Sequence, residues 1–192
     1  LSFIIPELEV PKLNRRPDLE ARAFPWSDKD GYADAFSKAV KELGLDGKKL
    51  GVDGLTMRVT ELLEFQKVSP DIKISAVERQ IIRIMATKTP DEVVAMRKAC
   101  QISEAALDNL LAWVQPGMTE REIAIRLNEE MTALGSEGVA FEPLVQTGPN
   151  SALPHGMLTD RALGRDEFLL IDYGGRYEGY PADITRTFCL GT

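Results

Sequence analysis

Two aspartates and one histidine are the residues of this sequence best suited to chemistry. Asp172 ends the apolar run Phe168-Leu169-Leu170-Ile171, and Asp183 opens a second β-rich run over residues 184–190. Four consecutive apolar residues predict a strand covered on both faces, so a carboxylate at its end is hard to hydrate. A hairpin folding about Tyr177-Glu178 would set Asp172 directly opposite Asp183, with Cβ atoms ~5 Å apart on one face of the sheet. Two like charges that close cost several kcal/mol if both ionise unaided. One Asp can stay protonated and make an acid/base dyad. A cation can neutralise the pair, with Arg186 the local candidate. Or the pair can bind metal, because hard carboxylate oxygens suit Mg, Mn, Co or Zn. A turn also readily exposes Asp, which would leave a solvated hairpin. One carboxylate pair does not close a metal cage, which needs roughly four to six ligands.

His155 is the single histidine of the chain. It sits in Asn150-Ser151-Ala152-Leu153-Pro154-His155-Gly156, a loop about one strand upstream of Asp172. A lone loop histidine is most often a surface residue; its functional reading is a hydrogen-bond donor or acid beside the carboxylates. Any His-rich zinc site would have to borrow ligands from elsewhere. Other chemistries fail on inventory: there is no GxGxxG, no GxxxxGK[ST] and no GxSxG. Ser-His-Asp catalysis would need His155, yet no serine stands in a nucleophile motif.

The elements that hold these residues follow from periodicity and punctuation. Residues 1–5 read as a strand ended by Pro6, and 7–26 as a polar, proline-rich connection. Ala35, Ala39, Val40 and Leu43 fall at helical spacing, with Gly44 as the stop. A strand at 48–53, a helix around 57–66 and a strand around 72–74 complete an α/β alternation. Residues 75–86 place Val77, Ile81, Ile84 and Met85 on one helical face. Thr89-Pro90-Asp91-Glu92 is a capping box with Pro at the first helical position, opening a helix to about Val114 that Pro116-Gly117 ends. Thr119-Glu120-Arg121-Glu122 is a second box. It opens a helix with Ile123, Leu127 and Met131 inward, closed by Gly135. Both boxes are folding signals. From Gly138 the chain alternates short apolar runs with Gly and Pro, as strands and loops do.

At 192 residues the chain is one large domain or two small ones. Its 44% hydrophobic and 28% charged content excludes full disorder and a disulfide scaffold. The net charge of −7, with no Lys/Arg run beyond two residues, argues against nucleic-acid binding. No apolar stretch approaches the ~20 residues of a membrane span. The opening LSFIIPELEV lacks the basic flank of a signal peptide and starts without Met, so a fragment is expected. Cys100 and Cys189 stand in no motif. They read as small buried hydrophobes in a reduced, cytoplasmic compartment.

The segment LLIDYGGRYEGYPADITRTF, with the preceding PHG, resembles the first half of the pita-bread metallopeptidases. These include methionine aminopeptidase, aminopeptidase P and Xaa-Pro dipeptidase (prolidase), with creatinase as a relative that uses no metal. The Xaa-Pro group is the nearest. Asp172, Gly174, Gly179, Tyr180, Asp183, Thr185, Arg186 and Thr187 fit its signature. Lys88-Thr89-Pro90, Gly117-x-Thr119-Glu120, Phe141 and Thr147-Gly148-x-Asn150 fit as well. The resemblance is specific over about 76–192 and much weaker before that. It implies an α/β (α+β) fold: a partial creatinase-type N-terminal domain at 1–75, a linking helix at 76–88, and the first half of a pita-bread catalytic domain at 89–192.

By that resemblance Asp172 is a metal ligand and Asp183 bridges two divalent ions (Mn, Co or Zn). His155 would be the catalytic and substrate-binding residue beside the scissile carbonyl. A water activated by the two ions would cut the peptide bond before proline in short peptides. The resemblance also implies a homodimer. The family takes a further His and two Glu from its second half, and those ligands are absent from this chain. The fragment by itself is therefore expected to bind metal weakly or not at all, and to be inactive. The alternative is a non-peptidase of the same fold, a creatinase-like hydrolase or an inactive binding protein. Retention of both aspartates counts against it. A purely structural reading, with a salt-bridged hairpin, is the third.

Overall fold

The chain divides into two compact units, Leu1–Thr87 and Lys88–Thr192. A computed structural model describes residues 1–189 and 191. In the first unit, β1 (Ser2–Pro6), the short helix α1 (Val10–Asn14) and β2 (Arg22–Trp26) come first. β1 and β2 pair in parallel, Ser2 facing Arg22 and Pro6 facing Trp26. The stretch expected to be one polar connection therefore holds a helical turn and a strand. Its prolines do not prevent this. Pro11 lies in the first turn of α1, where a missing N–H costs nothing, and Pro25 lies in a strand whose only partner among the described residues is β1.

α2 (Ala33–Glu42) buries Ala35, Phe36, Ala39 and Val40, while Leu43 falls past the last turn and is exposed. β3 (Lys49–Val52), α3 (Val59–Val68) and β4 (Lys73–Ala76) follow, with β3 and β4 again parallel. Parallel neighbours need a crossover, and here a helix lies between the strands of each pair. Phe24, Ala35 and Ala39 form this unit's core, with Ile4 and Trp26 against it. α4 (Glu78–Ala86) ends the unit; of the apolar residues expected on one of its faces, Val77, just before it, and Ile81 are half-buried and Ile84 is 77% exposed. An apolar stripe determines which side chains line up, not whether a surface meets them.

The second unit begins with α5 (Pro90–Trp113) and α6 (Glu120–Ala133), both opened by the capping boxes seen in the sequence. The Glu92 amide donates to Thr89 Oγ1 at 3.3 Å, and the Thr89 amide donates back to the Glu92 carboxylate at 2.6 Å. At Thr119 and Glu122 the same two bonds measure 3.2 and 2.8 Å. Ile123, Leu127 and Met131 are buried as their spacing predicts. The sheet is built from β5 (Leu144–Thr147) and β6 (Phe168–Tyr173), then the narrow tip strands β7 (Arg176–Tyr177) and β8 (Tyr180–Pro181), then β9 (Ile184–Cys189). Its order is β5-β6-β9, antiparallel throughout. Leu190, expected at the end of the last strand, lies outside the described residues.

One face of this sheet packs on the helices. Val145, Leu169, Ile171 and Tyr173 interlock with Leu110, Ile123 and Leu127 in a single core. The expectation that β6 is covered on both faces is not met within the described residues. Leu169, Ile171 and Tyr173 are fully buried, whereas Phe168 is 59% exposed and Leu170 and Asp172 are half-buried. The apolar run hides a strict alternation: the helices cover one side fully, and the loop after β5 covers the other only in part.

The hairpin turn also differs from the expected one. Tyr177 faces Tyr180, so the turn residues are Glu178 and Gly179, not Tyr177 and Glu178. Both have positive φ, 48° and 78°. A two-residue hairpin loop of the kind that matches strand twist requires this at both positions, and Gly179 adopts it without cost. The Glu137 carboxylate accepts from the backbone amides of Glu178 and Gly179 at 3.1 and 2.9 Å, which holds the turn there. Below the tip the strands come very close. A Cβ at Gly174 would lie 1.9 Å from the Ala182 carbonyl oxygen, a backbone atom that cannot step aside. Gly174→Ala should therefore force the hairpin apart and cost on the order of 1–3 kcal/mol or more, read as a lower urea midpoint.

Candidate metal and substrate site

Asp172 is placed by its neighbours on β6. Ile171 and Tyr173 point into the core, and the Tyr173 hydroxyl donates to the Ser103 carbonyl of α5 at 3.0 Å. Burial pushes the Tyr173 phenol up to about 12, so it stays a neutral donor. With those two side chains inward, strand alternation turns Asp172 to the open face. There the Thr185 hydroxyl donates to Asp172 Oδ1 at 2.8 Å.

The register corrects the expected pairing. Asp172 faces Thr185, not Asp183, and Tyr173 faces Ile184. The turn sits one residue later than expected, so every facing pair is offset by two. An offset of two preserves the face, whereas an offset of one would reverse it. Asp183 thus shares the open face with Asp172, as a diagonal rather than a direct neighbour. The two are also less buried than expected: Asp172 is half-buried and Asp183 exposed. Among the described residues, the Thr185 bond is the one hydrogen bond or ion pair to either carboxylate. Arg186, the candidate neutralising cation, instead donates to the Thr185 carbonyl at 2.9 Å.

The structure brings His155 and Asp172 together. Both line a pocket of about 340 Å³ on the open face, with Gln146, Leu153, Leu170 and Thr185 among its other walls. Asp183 is not among its lining residues. His155 is exposed and has a φ of 58°, at the outer end of a loop that follows a single 3-10 turn, Gly148–Ala152.

That loop is held by a residue read in the sequence as part of a capping box and as a motif position without a role of its own. Glu120, at the first position of α6, is fully buried. Its Oε1 accepts from the Thr147 amide (2.8 Å), the Thr147 hydroxyl (3.1 Å) and Asn150 Nδ2 (2.9 Å). Its Oε2 accepts from the Thr159 amide (2.9 Å) and hydroxyl (2.6 Å). Burial pushes the Glu120 carboxyl up, but the donors from Thr159, Asn150 and Thr147 outweigh it and hold it below the ordinary Glu value. Arg161 braces the exit of the loop, donating to Thr147 Oγ1 at 2.8 Å and gripping both oxygens of Glu167 at 2.8 and 2.6 Å.

Sequence reasoning missed three residues here: Glu120, Thr185 and Gln146. Thr185 was visible as a motif position without a role. Gln146 is 1% exposed, and its Nε2 has no hydrogen-bond partner. No local pattern marks such a residue. The free cysteines are not both buried as expected, since Cys100 is half-buried and Cys189 exposed. Cys189 lies on the face of β9 that nothing covers among the described residues.

As hard oxygen donors on one face, Asp172 and Asp183 fit two positions of a divalent-metal cage. Among the described residues no group of three or more His, Cys, Asp or Glu side chains could hold an ion. The two carboxylates do not by themselves complete such a cage.

Residues 94–192 match the sequence pattern of metallopeptidase family M24. The chain belongs to that family. Structural similarity to solved peptidases extends over its whole length. It is similar to a prolidase from Thermococcus sibiricus at 29% identity and a TM-score of 0.88, covering 100% of this chain and 51% of that one. It is similar to an X-Pro aminopeptidase from Thermotoga maritima at 29% identity and a TM-score of 0.82, covering 100% of this chain and 53% of that one. An Xaa-Pro dipeptidase from Pyrococcus horikoshii is 30% identical over 195 aligned positions, spanning 100% of this chain and 51% of the relative. The chain thus spans about half the length of these relatives, and its mixed helix–strand fold is that of the first half of a pita-bread prolidase.

The depressed Glu120 carboxyl makes a signed prediction. A group whose folded value lies below its unfolded value, ~4.3 for Glu, stabilises above that pH and loses the contribution as pH falls through the folded value. The stability gap between the wild type and Glu120→Gln should be full at pH 6–7 and shrink below about pH 4. Urea titrations across that range measure it.

Proposed function

We propose that the protein to which this chain belongs is a metal-dependent Xaa-Pro peptidase, hydrolysing the bond before proline in short peptides. One observation carries the reading: Asp172 and His155 line one pocket on the open sheet face, with Asp183 on that same face. The names of the relatives, Xaa-Pro dipeptidase, prolidase and X-Pro aminopeptidase, support proline-containing peptides as the substrate class. A cytoplasmic homodimer belongs to the same reading. No helix among the described residues is long and apolar enough to cross a membrane.

In this reading Asp172 and Asp183 would hold divalent ions of the Mn, Co or Zn class, with the remaining His and two Glu ligands supplied from outside this chain. When bound, such ions supply Lewis-acid polarisation and a nucleophile at neutral pH. The chain's own residues do the rest. Thr185 fixes the orientation of the Asp172 carboxylate through the Oδ1 bond. His155, on its loop over the pocket, donates to the scissile carbonyl and orients it. The Leu153 and Leu170 side chains give the pocket an apolar wall that excludes water from one side of the peptide.

The test is turnover by the full-length protein, loaded with Mn²⁺ or Co²⁺, of an Xaa-Pro dipeptide and an Xaa-Pro-Yaa tripeptide. Cleavage of either at the proline bond is expected, and cleavage of neither overturns the reading. Asp172→Asn should lower bound metal as measured by elemental analysis. Thr185→Val, which removes only the orienting hydroxyl, should weaken metal retention or activity by about 10- to 100-fold.

A further inference from the structure

We infer that Glu120 is a positioning residue that sets His155 over the pocket by clamping both stems of its loop. The inference rests on the proposed role of His155 at the substrate. The segment between Thr147 and Thr159 crosses the open face with little structure of its own: a 3-10 turn at Gly148–Ala152, the Leu153 amide on the Asn150 carbonyl at 3.0 Å, and the Gly156 amide on the Leu153 carbonyl at 3.3 Å. Among the described residues, the hydrogen bonds that tie it to α6 all end on Glu120.

The division of labour between the two oxygens is what makes the clamp. Oε1 takes the entry stem, Thr147 and Asn150, and Oε2 takes the exit stem, Thr159. His155 lies between the stems in the left-handed region, a conformation that a non-glycine residue keeps only when its surroundings hold it. A carboxylate accepts at both oxygens, whereas an amide of the same shape offers a donor at one of them. Glu120→Gln therefore sets N–H against N–H at one stem while filling the same volume. The side chain sits at the first position of α6, so its own backbone is held by a helix packed into the core. The clamp ties the His155 loop to the most rigid part of the unit.

Two measurements test this. In the full-length protein the His155 imidazole NMR signals are assigned by their loss in His155→Ala. In Glu120→Gln those signals should shift or broaden. Amide exchange over 147–159 should rise about tenfold or more while that of α5 and α6 stays unchanged. Thr159→Val deletes one donor and leaves the carboxylate, and should give a smaller response of the same kind. An unmoved His155 signal and unchanged loop exchange in Thr159→Val overturn the inference, even if Glu120→Gln does not fold. In the full-length metal-loaded enzyme, Glu120→Gln should lower kcat/KM for an Xaa-Pro substrate about 10- to 100-fold. In a His155→Ala background it should add less than about twofold, because both act through one group. Full multiplication of the two losses overturns it. The NMR arm needs no turnover, so a failure of the peptidase reading is seen separately.

Discussion

A fully buried carboxylate with five donors around it is the constraint on which the second unit turns. An ionised group taken out of water is costly unless each lone pair is met. Glu120 meets that condition only because Thr147, Asn150 and Thr159 all converge on it. The requirement runs both ways. The charge needs the loop folded around it, and the loop, with little regular structure, needs the charge. Hydrogen bonds to an ionised acceptor are about twice as strong as neutral ones, which suits a single side chain to ordering so long a connection.

The hairpin carries a second constraint, and it is geometric rather than electrostatic. Gly179 and the amides held by Glu137 settle the turn, the turn settles the register, and the register decides which side chains share a face. The core supplies the remaining choice. Because Ile171 and Tyr173 bury their side chains against α5 and α6, Asp172 turns outward beside Thr185. A metal-type carboxylate is therefore presented by apolar packing on the opposite side of the same strand. On the face that carries Asp172, Asp183 is exposed, and the chain spans about half the length of the relatives it matches.

Much of the fold was legible in advance. Both capping boxes, the inward residues of α6 and the extent of α5 follow from local rules that involve neighbours three or four positions apart. The strand β2 was not legible, since its only signal, a short apolar stretch, is broken by Pro25 and depends on a partner twenty residues away. The apolar stripe of α4 was legible from its spacing, but how deeply each residue is buried, Ile81 half and Ile84 hardly at all, is not set by periodicity. Within the site, residue types singled out Asp172, Asp183 and His155. Glu120 and Gln146 were hidden because their roles arise from burial.

Residue types and spacing alone established the family, the extents of α5 and α6, the residues for hard-cation chemistry and the shared face of the two aspartates. That last point survived a misplaced turn because an offset of two leaves strand parity intact. Only the tertiary structure decided that Asp172 pairs with Thr185, that His155 shares its pocket, and that Glu120 holds the loop between them. Local chemistry is written in spacing. Which distant donors meet a buried charge depends on how the chain closes on itself in space.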